Sequence, residues 1–174
     1  MLFRSLSRLD TLLDPELEDI ARRGGSRAGA AQQILGSVAL ASAKLAYDGY
    51  QALVAGPRWR ALSAKAARPQ WLLWGSTGTK NPDDDALKYV EPLIGPDTIN
   101  TLPPQTIDAY RARGNPAARL HDGVERARIS FEQVAFLGID IDRVTAKLEA
   151  QGVEKFSKPF DELLRRLEGV LKAA

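Results

Sequence analysis

Residues Gln70 to Pro82, which read QWLLWGSTGTKNP, carry the information that defines the class of fold. The first five form an apolar run between Pro69 and Gly75 that is too short for a helix. It lacks apolar–polar alternation, which is typical of a parallel strand buried on both faces. A loop of small residues follows, and apolar residues at helical spacing then run from Asp83 to Ile94. The predicted order is strand, loop, helix.

A second unit of the same kind follows directly. Asp97 to Thr101 is predicted as a short strand, and a helix is predicted from Gln105 to Arg113, after two prolines. Two successive strand-loop-helix units favour an α/β fold with parallel strands and right-handed crossovers.

Helices are predicted for most of the remaining chain. Asp14 is predicted as an N-cap with Pro15 as the first helical residue, and Gly24 and Gly25 are predicted to end that helix. The other predicted helices are Ala30 to Ala55, Arg58 to Ala67, Ser130 to Leu137, Asp140 to Gln151 and Lys158 to Ala173, with breaks at Gly138 and Gly152. Apolar residues near the end of the chain are predicted to be the core-facing residues of a docking helix: Phe156, Phe160, Leu163, Leu164, Leu167 and Val170.

Composition excludes several classes of function. The chain has 174 residues with a net charge of only +2, so one domain is expected and a nucleic-acid partner is not indicated. No apolar run reaches about 18 residues, so no membrane span and a cytoplasmic location are expected. With no cysteine and one histidine, metal sites built on those residues are not expected. His121 is predicted to be a solvated surface residue rather than a general base.

The loop after the first predicted strand could bind an anion. Gly75 and Gly78 allow close backbone approach, Ser76 adds a hydroxyl and Lys80 adds positive charge. Loops at the carboxyl ends of parallel strands are common phosphate sites. The spacing matches neither a Walker loop nor a dinucleotide fingerprint, so the pattern alone is weakly specific.

A structural interpretation explains most of the same residues. Asn81 would be an N-cap and Pro82 the first helical residue. Asp83, Asp84 and Asp85 would repel an anion unless they point to solvent. Both interpretations remain open on pattern alone.

Several stretches together resemble a known family. The run from Ser76 to Pro82 is very like the seventh-strand loop of transaldolases, and the chain resembles the C-terminal half of the long bacterial type, sometimes fused to glucose-6-phosphate isomerase. Further similar stretches occur in order at 43–47, 58–62, 89–103, 137–140 and 152–156. The resemblance implies the C-terminal portion of a (β/α)8 TIM barrel, about strands 6 to 8, plus C-terminal helices, as one partial domain over residues 1–174. It begins after Ser5, and residues 1–5 are predicted to be a non-native leader.

The same resemblance suggests a phosphate site. Residues Ser7 to Thr11 resemble the end of the family's sixth strand, where an arginine binds the substrate phosphate, which makes Arg8 the candidate. Lys80 falls where family members use a second basic residue, and Ser76 is the candidate hydroxyl partner. A surface arginine at a frayed terminus is the alternative for Arg8.

The resemblance also implies the reaction. Transaldolases of the pentose phosphate pathway transfer a dihydroxyacetone unit from sedoheptulose 7-phosphate to glyceraldehyde 3-phosphate through a lysine Schiff base, without metal or organic cofactor. That lysine and its carboxylates lie on strands before the sixth, so no catalytic residue is expected in this chain. The expected partners are sugar-phosphate substrates and the missing N-terminal half of the barrel, and the fragment alone is expected to be inactive and prone to aggregate.

Two alternatives stay open. The chain could be a non-catalytic phosphosugar-binding or interaction module, or a helix-rich scaffold without the two predicted strands. The sequence does not indicate an oligomeric state.

Overall fold

The structure is a computed structural model that describes the backbone from Leu2 to Ala173 and the side chains from Leu6 to Lys172. The strands within this range are β1 (Leu2–Ser5), β2 (Leu72–Gly75) and β3 (Thr98–Asn100). The α-helices are α1 (Leu6–Arg23), α2 (Ala28–Ile34), α3 (Val38–Ala55), α4 (Pro57–Ser63), α5 (Pro104–Arg113), α6 (Val124–Phe136) and α7 (Ile141–Ala173). The chain divides into two compact units, Met1–Ile139 with the sheet and Asp140–Ala174 with α7. The expectation of a single domain stays a prediction.

The strands form one parallel sheet in the order β1-β2-β3. Ser5 is paired with Gly75, and Trp74 with Asn100, so the carboxyl ends of the three strands lie along one edge. The predicted α/β class with parallel strands is therefore confirmed, and the scaffold without these strands is wrong. The backbone of β1 is part of the sheet, while the non-native origin of residues 1–5 stays a prediction and Met1 lies outside the described residues.

The two faces of the sheet differ in burial. Leu72 and Trp74 of β2 are buried, and so are apolar residues of α1, α2 and α3. On the other face Leu73 is half-buried, and its neighbour Ile99 is 38% exposed. Burial of β2 on both faces was thus predicted correctly for one face only.

Helix α1 begins directly after β1 and continues through Pro15, so the predicted start at Asp14 is wrong. A proline inside a helix costs about 3 kcal/mol or more. Burial of Leu9, Leu13 and Leu17 along one face of α1 offsets that cost. The predicted end before Gly24 is confirmed.

The single helix predicted from Ala30 to Ala55 is two helices, α2 and α3. Gly36 lies between them with a φ of 66°, a left-handed conformation that glycine adopts without strain. The carboxylate of Asp14 accepts a hydrogen bond from the Gly36 N–H, at 2.9 Å. This tertiary contact stabilises the break.

The helix predicted from Asp83 to Ile94 is also wrong. The segment consists mainly of turns, with one 3-10 helix, Glu91–Leu93. The Asn81 side chain accepts a hydrogen bond from the Asp83 N–H (3.0 Å) and the Asp85 carboxylate accepts one from the Leu87 N–H (2.7 Å). Such local side-chain bonds compete with helical ones. Asn81 is therefore not a helix N-cap, and Pro82 is not a helical residue.

Helices α6 and α7 differ from the helices predicted there in length, and the apolar residues of α7 differ from their prediction in exposure. Helix α6 starts before Ser130, Gly138 is a break as predicted, and α7 runs unbroken through Gly152 and Pro159. The six apolar residues predicted to face a core from α7 are 43–84% exposed. Helical periodicity was predicted correctly there, but periodicity cannot show what covers an apolar face. The helices predicted from Arg58 and from Gln105, and the strand around Ile99, are confirmed as α4, α5 and β3.

Candidate phosphate-binding site

The carboxyl edge of the sheet brings two distant segments together. Ser7 and Arg8 lie in the first turn of α1, directly after β1, and the backbone N–H of Ser7 donates a 3.0 Å hydrogen bond to the carbonyl of Ser76. Ser76 is the first residue after β2. The prediction that residues 7–11 end a strand is wrong, because these residues are already helical. The contact nevertheless joins the turn that carries Arg8 to the small-residue loop.

The loop after β2 is tied to the end of β3 as well. Thr77 is fully buried, and its hydroxyl donates to the carbonyl of Thr101 at 2.9 Å. Both the N–H and the hydroxyl of Thr101 donate to the carbonyl of Trp74, at 3.1 and 2.9 Å. Ser76, which precedes Thr77 in this loop, has a φ of 54°, which is uncommon for a residue with a side chain. Such strained positions persist where surrounding contacts over-determine them, and they cluster at functional sites.

Gly78 has a different role from the one its sequence context suggests. A Cβ at this position would lie 2.9 Å from the Cγ of Pro103. The glycine therefore lets the β2 loop approach the segment after β3, which is packing between protein segments rather than a gap left for a ligand.

The three candidate ligands differ in exposure. Arg8 and Ser76 are half-buried, whereas Lys80 is exposed further along the same loop. A half-buried arginine is weakly screened by solvent, while an exposed lysine supplies a charge that salt screens. The backbone contact between Ser7 and Ser76 brings the segments that carry Arg8 and Ser76 together. Lys80 follows Ser76 by four residues in the same loop.

Asp83, Asp84 and Asp85, which follow the loop, repel an anion less strongly than their sequence suggests. Asp84 forms a 2.8 Å ion pair with Lys88, and Asp85 forms one of 2.8 Å with Arg113. The Arg113 guanidinium lowers the pKa of Asp85. Asp83 is exposed. Two of the three carboxylates are therefore compensated by neighbouring cations.

Asp10 and Tyr89 were not predicted as parts of this site. Asp10 is 2% exposed, and its carboxylate accepts hydrogen bonds from the Tyr89 hydroxyl (2.6 Å) and from the Ala39 N–H (2.8 Å). Burial raises the pKa of Asp10, and these hydrogen bonds offset only part of that effect. The pKa of Tyr89 is also raised, by burial and by the Asp10 charge. One sequence feature could have identified Asp10 as a buried polar residue. At helical spacing this aspartate lies on the same face as the apolar residues Leu6 and Leu13.

Asp14 lies one helical turn beyond Asp10. Partial burial is the main cause that raises its pKa to about 6, and the negative charge of Asp10 adds to it. The hydrogen bond from Gly36 and the charge of Lys88 act in the opposite direction. Helix α1 thus carries two carboxyl groups whose charged forms are disfavoured by burial. Each of them accepts a hydrogen bond from a backbone N–H group.

Two other kinds of site are absent from the described part of the chain. Residues 6–172 contain no group of three or more histidine, aspartate or glutamate side chains that could hold a metal ion. Within the same range, every helix is too short or too polar to cross a lipid bilayer. His121 is exposed, as predicted, and its ring lies 5.0 Å from that of Tyr47.

The family model for transaldolase/fructose-6-phosphate aldolase matches residues 6–167. The chain belongs to this family. The resemblance to transaldolases is therefore confirmed, and the match includes Arg8, Ser76 and Lys80.

Transaldolases from several bacteria are similar to the chain. The one from Thiobacillus denitrificans is 44% identical over 162 residues, which cover 93% of this chain and 44% of that relative. The transaldolase of Trichodesmium erythraeum is 39% identical over 171 residues, covering 96% of this chain and 45% of the relative. That of Neisseria meningitidis is 35% identical over 162 residues. This transaldolase-family chain therefore spans less than half the length of these relatives.

Proposed function

We propose that this chain is the phosphate-binding part of a cytoplasmic transaldolase, which transfers a dihydroxyacetone unit from sedoheptulose 7-phosphate to glyceraldehyde 3-phosphate in the pentose phosphate pathway. The observation that carries the proposal is the hydrogen bond from the Ser7 N–H to the Ser76 carbonyl. It joins the turn that bears Arg8 to a loop of glycine and hydroxyl residues, at the carboxyl edge of a parallel sheet. That edge is where α/β enzymes hold their substrates.

Each candidate residue has a distinct role in this proposal. The planar guanidinium of Arg8 binds two phosphate oxygens at once, and its partial burial strengthens the interaction. The Ser76 hydroxyl donates to a phosphate oxygen. Lys80 attracts the anion as an exposed charge and contributes most at low salt.

The fold within the proposal is the C-terminal portion of a (β/α)8 barrel, about strands 6 to 8, with C-terminal helices. Two observations support a missing remainder. One is that the chain spans 44–45% of the first two relatives, and the other is that Leu73 and Ile99 leave one face of the sheet partly open. The N-terminal half of the barrel would cover that face and supply the catalytic groups.

The chemistry would then be divided between the two parts. A lysine amine of the N-terminal half attacks the ketose carbonyl, and loss of the carbonyl oxygen as water gives the Schiff base. Nearby carboxylates transfer the protons. This chain supplies Arg8, Ser76 and Lys80, which hold the substrate phosphate and thereby orient the ketone. It contributes no catalytic residue.

Borohydride trapping with fructose 6-phosphate tests this division of roles. The chain is treated alone and together with the N-terminal half of the Thiobacillus denitrificans relative, and the products are mapped by mass spectrometry. We expect no adduct on the chain alone, and one adduct on a lysine of the added half. An adduct on a specific lysine of this chain would overturn the proposal.

A non-catalytic phosphosugar-binding module is the second candidate. The observation in its favour is that the contact between Ser7 and Ser76 forms within this chain alone. The two functions differ in one measurable respect. A module gives no transferase activity with the added half, whereas the proposed transaldolase part restores activity.

A further inference from the structure

Tyr89 and Asp10 form a buried polar contact next to the candidate phosphate site. The two residues are 79 positions apart in the chain, and their side-chain oxygens are 2.6 Å apart. Tyr89 is 1% exposed and Asp10 is 2% exposed. A hydrogen bond to a charged group in such surroundings is stronger than one in water, and its loss leaves a poorly solvated carboxylate.

The contact connects three elements of the fold. Asp10 belongs to α1, and its second carboxylate oxygen accepts the N–H of Ala39 in the first turn of α3. On the other side, the carbonyl of Tyr89 accepts a 3.1 Å hydrogen bond from the side chain of Asn100, the last residue of β3. Tyr89 therefore links the start of α1 to the carboxyl end of β3.

Arg8 precedes Asp10 by two residues in the same helix. Successive residues of an α-helix are rotated by about 100°, so these two side chains project from nearly opposite sides of α1. Asp10 is buried, and Arg8 is half-buried. The hydrogen bonds that hold Asp10 in the protein interior therefore also fix how the first turns of α1 are rotated about the helix axis. That rotation sets the direction in which Arg8 projects.

We propose that Tyr89 is a positioning residue of the phosphate site: through Asp10 it holds the turn of α1 that carries Arg8 in place against the carboxyl end of β3. The inference rests on the proposed function, since it assigns a role within that site. Tyr89 does not contact the phosphate in this scheme. It acts on the orientation of Arg8, whose bidentate binding depends on geometry.

The test is the affinity of the full chain for fructose 6-phosphate, measured by calorimetry for Tyr89→Phe. The matched control is Tyr47→Phe. Tyr47 is 1% exposed and donates its hydroxyl to the Pro96 carbonyl at 3.2 Å, but Pro96 precedes β3 and so lies toward the opposite edge of the sheet. We expect Tyr89→Phe to weaken binding about tenfold and Tyr47→Phe to leave it within about twofold.

A double-mutant cycle with Arg8→Ala separates positioning from general destabilisation. If Tyr89 acts through Arg8, Tyr89→Phe has no further effect on affinity once Arg8 is alanine. If Tyr89→Phe does not fold, Asn100→Ala, which removes the tether of the Tyr89 carbonyl, serves in the same cycle. A smaller loss of affinity is expected for it, and again none in the Arg8→Ala background.

The possible failures are distinguishable. Binding by Tyr89→Phe that equals Tyr47→Phe, or losses that simply add to that of Arg8→Ala, would overturn the role of Tyr89 and leave the phosphate site intact. No binding by the unmodified chain, or binding that does not depend on Arg8, would overturn the phosphate site itself and this inference with it.

Discussion

The carboxylate of Asp14 accepts a 2.9 Å hydrogen bond from the backbone N–H of Gly36, 22 residues further along the chain. The contact stabilises the break between α2 and α3 with a side chain that is only partly solvated. It therefore couples the stability of the fold to the protonation of one carboxyl group.

Asp14→Asn is expected to reduce the pH dependence of stability. The pKa of Asp14 is raised from 3.8 to about 6, so the folded state holds this proton more tightly than the unfolded state does. This contribution to stability is full below about pH 4 and is lost as the pH rises through about 6. Asparagine keeps the oxygen that accepts from Gly36 but carries no charge. Urea unfolding at pH 4.5 and 7.5 measures the change. The exposed Asp83→Asn is the control, and an equal effect of both variants would contradict the prediction.

Lys44→Met is expected to destabilise the chain by about 1–3 kcal/mol. The Lys44 ammonium donates to the carbonyls of Arg119 (2.8 Å) and Asp122 (2.7 Å), and partial burial lowers its pKa. Methionine fills a similar volume but leaves both carbonyls without this donor. Urea unfolding at pH 7 measures the loss. Lys65→Met at an exposed position is the control, and the prediction fails if the two variants are equally stable.

Gly78→Ala is expected to destabilise the chain by about 1 kcal/mol or more, because its Cβ would lie 2.9 Å from Pro103. Gly49→Ala within α3 meets nothing within 4 Å and is expected to stabilise it by roughly 0.5–1 kcal/mol. Thermal unfolding of both variants gives opposite shifts in Tm if the packing is as described. A stabilised Gly78→Ala would show that the β2 loop does not pack against Pro103.

Arg8→Lys and Lys80→Ala are expected to differ in the way salt affects them. Lysine at position 8 keeps the charge but loses the planar fork, so fructose 6-phosphate binding weakens by about tenfold at any ionic strength. Loss of the exposed Lys80 weakens binding at low salt, and the difference from the unmodified chain shrinks toward 1 M salt. Calorimetric titrations at two salt concentrations measure both effects. A loss for Lys80→Ala that does not change with salt would assign it a direct, desolvated contact instead.

The apolar side chains of α7 are expected to promote aggregation of the chain. Phe156 is 84% exposed and Phe160 is 59% exposed, and further leucines follow at helical spacing. The double variant Phe156→Glu, Phe160→Glu is expected to lower light scattering at micromolar concentrations. Leu53→Glu, which removes a 62% exposed leucine of α3, is the control. Equal improvement by the control would show that exposed apolar area in general, rather than the α7 face, drives association.

Local patterns were sufficient where the structure depends on local chemistry. The apolar run before Gly75 and the short run around Ile99 are strands, because runs of this length and composition suit a parallel sheet. The helices predicted from local patterns were wrong around Gly36, Asp85 and Pro15. In those places a distant carboxylate, side-chain hydrogen bonds in a turn, or burial of a helix face outweighed the local preference.

The candidate site was predictable only in part. Arg8, Ser76 and Lys80 were named from the resemblance to transaldolases, and the family membership is confirmed. Their phosphate-binding roles stay predictions. The bond between Tyr89 and Asp10 was not predictable, because neither residue carries a local pattern that indicates the other.

The α/β class, the family and the conformation of the short apolar segments could be inferred from local sequence patterns. The positions of the helix breaks, the anchored side chains and the exposed apolar faces depend on contacts that form in the folded chain. The reason is physical. Propensity and periodicity act over a few neighbouring residues, whereas the contacts between Asp14 and Gly36, or Asp10 and Tyr89, join groups that meet only when the chain has folded.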